Sequence, residues 1–146
     1  MSTVIDIADA VVAALNEAGG HAFSQPFTAQ RCYVPTFDLK EMKDLHVTVV
    51  PRSLEMVTAG RSLLQNDVQI DLAVQKKLPT DTTGDSAAID ALMGLVQEIA
   101  EFIRSTGRFG EAVWMKTENK PIYSPEHLEQ LRQFTSVLTV TYRAMS

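Results

Sequence analysis

Apolar residues recur along this chain with two different periods, and the change of period marks off its elements. Val4, Ile7, Ala8, Val11, Val12 and Leu15 fall three and four positions apart, which predicts a helix over residues 4–18. Ser2 and Thr3 are available as caps, Asp6 and Asp9 suit the positive N-terminal end, and Gly19-Gly20 supplies a left-handed exit. A second helix is predicted from Ala87 to Ser105, with Ile89, Leu92, Met93, Val96, Ile99, Ala100 and Ile103 as its stripe. Asp85 or Ser86 caps it and Gly107 lies just past its end. Asp90, Gln97, Glu98, Glu101 and Arg104 cover its other side, with Glu98 and Glu101 expected in solvent and Arg104 near enough to pair with Glu101.

Elsewhere the period is two. Val68, Ile70, Leu72 and Val74 alternate with Gln69, Asp71, Gln75 and Lys77, the clearest strand pattern in the chain. Leu45, Val47 and Val49 alternate with His46, Thr48 and Val50 until Pro51, which is expected to stop the strand. In the closing stretch Thr135, Thr139, Thr141 and Arg143 alternate with Ser136, Leu138, Val140 and Tyr142. Phe27 to Pro35 reads as extended and Ala112 to Lys116 as a strand; Asn119-Lys120-Pro121 reads as a turn. Short helical turns are expected over Asp38 to Lys43 and from Ser124-Pro125 to Arg132, and Pro79 to Asp85 is a polar linker. The sum is an α+β fold, a two-layer sandwich with two long helices on one face of a mostly antiparallel sheet of four to six strands.

Residues 1–146 contain no visible repeat and no low-complexity stretch, so they read as a single domain. A chain of this length hides roughly two thirds of its unfolded surface and needs neither disulfide nor metal to fold. Cys32, the single cysteine, excludes an internal disulfide and a four-cysteine zinc site, and is expected as a small apolar side chain within a strand. The three histidines, His21, His46 and His127, include no i, i+4 pair that could share an ion, and are expected to be solvated. No glycine loop with a lysine suggests phosphate binding, and no nucleophile motif suggests covalent catalysis. The formal charge is −5, from 13 basic and 18 acidic residues. Lys76-Lys77 is the only adjacent basic pair and is expected at a solvated strand edge, while Trp114, Tyr33 and Tyr142 form no stacking platform, so nucleic-acid binding is not predicted. The opening MSTVIDIADAVV has no basic n-region, and no apolar run approaches the ~20 residues of a membrane helix, so a soluble intracellular product is expected. Catalytic residues, a cofactor and a metal are all expected to be absent, and the chain is not expected to be an enzyme.

Two features ask for a partner. Gln69, Gln75, Thr135, Thr139 and Thr141 lie on the second face of the predicted sheet, an uncharged polar surface suited to another protein, to an aqueous channel, or simply to bulk water. Residues 53–66 carry Leu54, Met56, Leu63 and Leu64 around Ala59-Gly60, too apolar for a free loop. That segment is expected either as a hairpin on its own sheet or as an assembly arm, with these four residues at an oligomer or tail interface.

The succession VIDIADAVVAALNEA, RCYVPTFDLKEMKDLHVTVVPRS, DVQIDLAVQKKL, IDALMGLVQEIAEFIR and NKPIYSPEHLEQLRQFTSVLTVTYRAMS resembles the small neck and tail proteins of phage structural operons. In element order it is most similar to the tail terminator, or tail completion, proteins of long-tailed phages. The resemblance spans nearly the whole chain and contains no short diagnostic motif. It implies a structural virion protein that closes into a homo-oligomeric ring, with a hexamer as the implied state. Such a ring sits at the head–tail junction, ends the tail tube and joins it to the head connector or stopper protein. It implies location in the virion, with assembly in the host cytoplasm, no membrane, and DNA passing through an acidic to neutral lumen without specific binding. A small cytoplasmic α+β enzyme or ligand-binding domain, with its pocket between helix and sheet, is the alternative.

Overall fold

Val68, Ile70, Leu72 and Val74 are all fully buried, and the strand that carries them is the middle of the sheet. The computed structural model describes residues 3–18, 23–25, 27–33, 45–77, 85–119 and 133–145. The elements are α1 (Thr3–Ala18), β1 (Thr28–Arg31), β2 (His46–Gly60), β3 (Leu63–Lys77), α2 (Asp85–Thr106), β4 (Arg108–Phe109), β5 (Ala112–Asn119) and β6 (Gln133–Met145). They make an α+β fold around one mixed six-stranded sheet in the order β1-β2-β3-β6-β5-β4. β1 runs parallel to β2, and the remaining pairings are antiparallel.

Both helices follow their predicted stripes to within two residues at each end. Ile7, Ala8, Val11 and Leu15 of α1 and Leu92, Leu95, Val96, Ile99 and Ile103 of α2 join the four β3 residues in one apolar core. Leu138, Val140 and Tyr142 of β6 complete its centre, while Ile89, Met93 and Ala100 pack at its margin. α1 lies against β1, β2 and β3, whereas α2 lies against β5 and β6. Leu95, which the sequence stripe omits, is fully buried because it lies between Leu92 and Ile99 on the same side of the helix. The helix ends as predicted: Gly107 takes a left-handed backbone at φ 68°, and its N–H donates to the Ile103 carbonyl at 3.1 Å.

Several strands depart from expectation. β2 does not stop at Pro51 but continues to Gly60, turns over Arg61-Ser62 and returns as β3. The Cys32 N–H donates to the Val49 carbonyl at 3.0 Å, so Val49 directs its backbone groups away from β3. Pro51, two residues on, has the same parity and points its nitrogen at an edge where β1 has already ended and no donor is needed. Of the extended stretch expected from Phe27 to Pro35, Thr28–Arg31 is strand, Cys32 is half-buried just beyond it, and Val34 and Pro35 lie outside the described residues. β5 runs on to Asn119, which was expected in a turn, and the two-residue β4 has no sequence signal; Gly110 at φ 61° closes the turn between them. Lys76 and Lys77 lie at the end of β3, paired with β6 through Lys76–Phe134 and Lys77–Gln133 and past the last β2 pair, His46–Gln75; Lys76 is half-buried. The expected helical turns at Asp38 to Lys43 and Ser124 to Arg132, the turn residues Lys120 and Pro121, the linker between Pro79 and Gly84, the Gly19-Gly20 exit, His21 and His127 lie outside the described residues.

Tyr142 is the largest fully buried side chain, with its ring edge-on to Phe109 at 5.6 Å between centroids. Its hydroxyl has no hydrogen-bond partner among the described residues, and burial pushes the phenol well above its ordinary pKa. Tyr142→Phe keeps the ring and removes the unpaired group, so it is expected to leave stability unchanged or raise it by about 1 kcal/mol, read as the urea midpoint.

Candidate functional site

The bulge at Arg52 gives the molecule its arm. Pro51 stands opposite Ile70 and Ser53 opposite Gln69, so one extra residue is inserted in β2. Before the bulge Val47 and Val49 face the helices; after it Leu54 and Met56 take over that face, opposite Val68 and Asn66. Without the insertion Ser53 and Glu55 would occupy that side. β1 ends opposite Val49 and β6 ends opposite Gln65, so from Thr58 to Leu64 the hairpin is a bare two-stranded ribbon among the described residues. Leu54 is 46% exposed, Met56 56%, Val57 39%, Leu63 42% and Leu64 40%. The structure therefore places Leu63 and Leu64 on that bare tip and Leu54, Met56 and Val57 below it, opposite Val68, Asn66 and Gln65, where β6 backs the hairpin; all five are exposed. The segment is a β2–β3 hairpin continuous with the sheet.

The second sheet face differs from the uncharged surface expected. Gln69 with Thr141, and Gln75 with Thr135, stand opposite one another as the alternation requires, but charged pairs run among them. Arg52 Nη1 donates to Asp71 Oδ1 at 3.2 Å and to Thr139 Oγ1 at 3.2 Å, and Thr139 Oγ1 donates to Asp71 Oδ1 at 2.8 Å. Arg143 Nε donates to Asp67 Oδ1 at 2.9 Å and its Nη2 to Oδ2 at 3.3 Å, a two-pronged contact. Lys116 Nζ meets Glu118 Oε1 at 2.8 Å. Paired charges of both signs therefore occupy much of the described part of this face, with Glu55 standing beside Asp67 on it. At one end, near His46, the same face is closed, with Thr48, Ala73 and Gln75 buried.

Arg143 holds the Asp67 carboxyl below the usual carboxylate range, chiefly through its hydrogen bond. A folded-state pKa below the unfolded value contributes stability that is complete above the unfolded pKa and fades as pH falls through the folded one. Asp67→Asn is therefore expected to flatten the decline in urea midpoint between about pH 5 and pH 2.

A groove of about 700 Å³ lies between α2 and the sheet edge at β5. Met93, Gly94, Gln97 and Ala100 form its helical wall, Trp114, Thr117, Asn119 and Leu138 its floor, and Asp90, Glu101 and Arg104 its rim. Trp114 Nε1 donates to Thr117 Oγ1 at 2.8 Å, which fixes the indole along the strand. Sequence reasoning missed this groove, because it depends on how far α2 overhangs an edge strand. Two helix expectations also change there. Glu98 is half-buried and accepts the Ser24 N–H at 2.8 Å, and Glu101 accepts from Gln97 at 3.4 Å and not from Arg104. The Ser24 contact depends on where the chain before β1 crosses α2, which helical spacing does not encode, whereas Gln97 and Glu101 are an i, i+4 pair within the helix.

No group of three or more His, Cys, Asp or Glu that could hold a metal occurs among the described residues. His46 is half-buried at the start of β2. No described helix is long and apolar enough to cross a membrane. Neither a protein-family model nor a curated protein matches this sequence.

Proposed function

We propose that this chain is a structural subunit of a phage neck, similar to the tail terminators, which closes into a homo-oligomeric ring, caps the tail tube and joins it to the head connector. The observation that carries the reading is the outer part of the β2–β3 hairpin: five large apolar side chains are exposed along it, Leu63 and Leu64 on its bare tip, and contact with another chain covers them. The fold fits the same reading if α1 and α2 together cover one face of the sheet as a two-layer sandwich, leaving the paired-charge face and the arm for assembly. A head-to-tail contact repeated by rotation makes a ring when the rotation closes. A lumen of neutralised charge pairs lets DNA pass without gripping it. The chain then works in the virion after assembly in the host cytoplasm, with the tube protein, the connector or stopper and its own copies as partners. It needs no cofactor.

The ligand-binding reading draws on the α2–β5 groove, whose volume lies within the range of small-molecule pockets. The groove opens along the sheet edge, and such an opening suits an extended chain better than an enclosed ligand. The deciding experiment adds purified protein to growing tail tubes and measures tail length and end structure by electron microscopy. Rings at one tube end and arrested growth are the expected result. Tubes that grow unchanged and carry no cap would overturn the reading.

A further inference from the structure

We infer that the second face of the sheet carries a binding site for an organic cation, a guanidinium or primary ammonium group seated between Glu55 and Thr141. The site stands on charge, burial and strand register, and it does not depend on the ring reading above.

Two bulges fix its place. β2 carries one extra residue, Arg52, between the partners of Ile70 and Gln69, and β5 carries one, Met115, between the partners of Tyr142 and Thr141. They lie on opposite sides of the transverse row Ser53–Gln69–Thr141–Lys116. A bulge bends its strand and re-aims the side chains beside it, and bulges are frequent next to binding sites. On this row the face holds a cavity of about 420 Å³, with Ser53, Glu55, Asp67, Lys116, Thr141 and Arg143 among its lining residues.

Charge selects the ligand. The cations around the cavity are engaged already: Arg143 with Asp67, Lys116 with Glu118 and Arg52 with Asp71. The next row on this face reads Glu55–Asp67–Arg143, two carboxylates to one guanidinium. Glu55 makes no ion pair among the described residues. Like charges directly opposite one another on neighbouring strands repel. A cation set beside Glu55 relieves that repulsion, whereas an anion adds to it.

A buried hydroxyl points the same way. Thr141 is only 8% exposed and lines the cavity, yet its Oγ1 has no hydrogen-bond partner among the described residues. Leaving such a group unmade is costly, and a ligand that bonds it recovers the loss. Gln69 beside it is occupied at Oε1, which accepts from Ser53 Oγ at 3.1 Å. Rotation of Thr141 between its staggered χ1 states exchanges hydroxyl and methyl at the cavity wall, so an N–H donor seated at Glu55 finds a second acceptor there. A guanidinium, whose donors fan out in one plane, reaches a carboxylate and a hydroxyl at once.

The probe is butylguanidinium, with butylurea as its uncharged counterpart, added to the isotope-labelled full chain and followed by NMR. Saturable shifts at the amides of Ser53, Glu55, Gln69 and Thr141 are expected with the cation and none with the urea. Glu55→Gln should weaken binding about tenfold and Thr141→Val about threefold, as the loss of a charged and of a neutral hydrogen bond would. Thr141→Val should not lower the denaturation midpoint, because the hydroxyl it removes is unpaired; a threonine with a purely structural role would lower stability and leave binding alone. Glu111→Gln removes the same charge from the β4–β5 turn, beside a different cavity, and should bind like the parent chain. Light scattering then separates two sources of the cation. Self-association weakened both by Glu55→Gln and by butylguanidinium identifies a cationic side chain of a neighbouring copy, and self-association indifferent to both identifies a free small molecule. No saturable shift, equal binding of butylurea, unchanged binding by Glu55→Gln, or equal weakening by Glu111→Gln overturns the site, and none of these results bears on whether the chain caps tubes.

Discussion

Leu72→Ala is expected to lower the unfolding free energy by about 2–5 kcal/mol, a large share of the ~5–15 kcal/mol that holds a domain of this kind together. Leu72 is fully buried at the middle of β3, opposite Val49 on one side and Leu138 on the other. Removing its side chain leaves a cavity under both neighbouring strands, and strands fixed by their ladder hydrogen bonds cannot close over it. The contrasting variant is Gln69→Ala, three residues earlier and on the opposite face, which should shift stability by no more than about 0.5 kcal/mol. Urea denaturation of the two variants beside the parent makes the measurement. If Leu72→Ala cost no more than Gln69→Ala, the assignment of the two faces of β3 would be wrong, and with it the burial of Val68, Ile70 and Val74.

The β3 register was legible because its signal is local and repeated: four apolar residues at period two leave one way to bury them, and a slip by a single residue would put Gln69, Asp71 and Gln75 in the core. The two helices were legible for the same reason, with a stripe at period 3.6 and a glycine at the C-terminal boundary. Pro51 misled because proline's cost depends on whether its nitrogen faces a neighbouring strand, and that is settled by where β1 ends. Arg52 shows the limit more sharply. Nothing in PRSLEM marks the extra residue, yet the bulge decides that Leu54 and Met56 fall on the helix-facing side and lets the guanidinium reach Asp71 and Thr139. On the second face, the pairing of Asp71 with Thr139 and of Asp67 with Arg143 depends on cross-strand register between segments more than sixty residues apart. Of the candidate site, the apolar residues of the arm could be named from composition, whereas the groove at β5 could not, since it is a relation between a helix and an edge.

Met56→Glu combined with Leu63→Glu is expected to leave the domain folded and to abolish assembly. Met56 is on the helix-facing side of the arm and Leu63 on the other, and both lie outside the buried core, so the folded chain keeps each charge in water. Stability should change by no more than about 0.5 kcal/mol, as for exposed positions generally. Contact with another subunit or with the tube is different, because each carboxylate must then be desolvated without a partner, at a penalty of several kcal/mol per ion. That penalty recurs at every junction of a ring and exceeds what one small interface supplies, so closure fails. Circular dichroism and the urea midpoint report the fold, and electron microscopy of tails assembled with the variant reports function. Native-like spectra with overlong or headless tails are the expected outcome. Normal rings and full infectivity would take the arm out of the interface, while loss of the folded spectrum would show that Met56 and Leu63 stabilise the monomer and that the hairpin is part of its core.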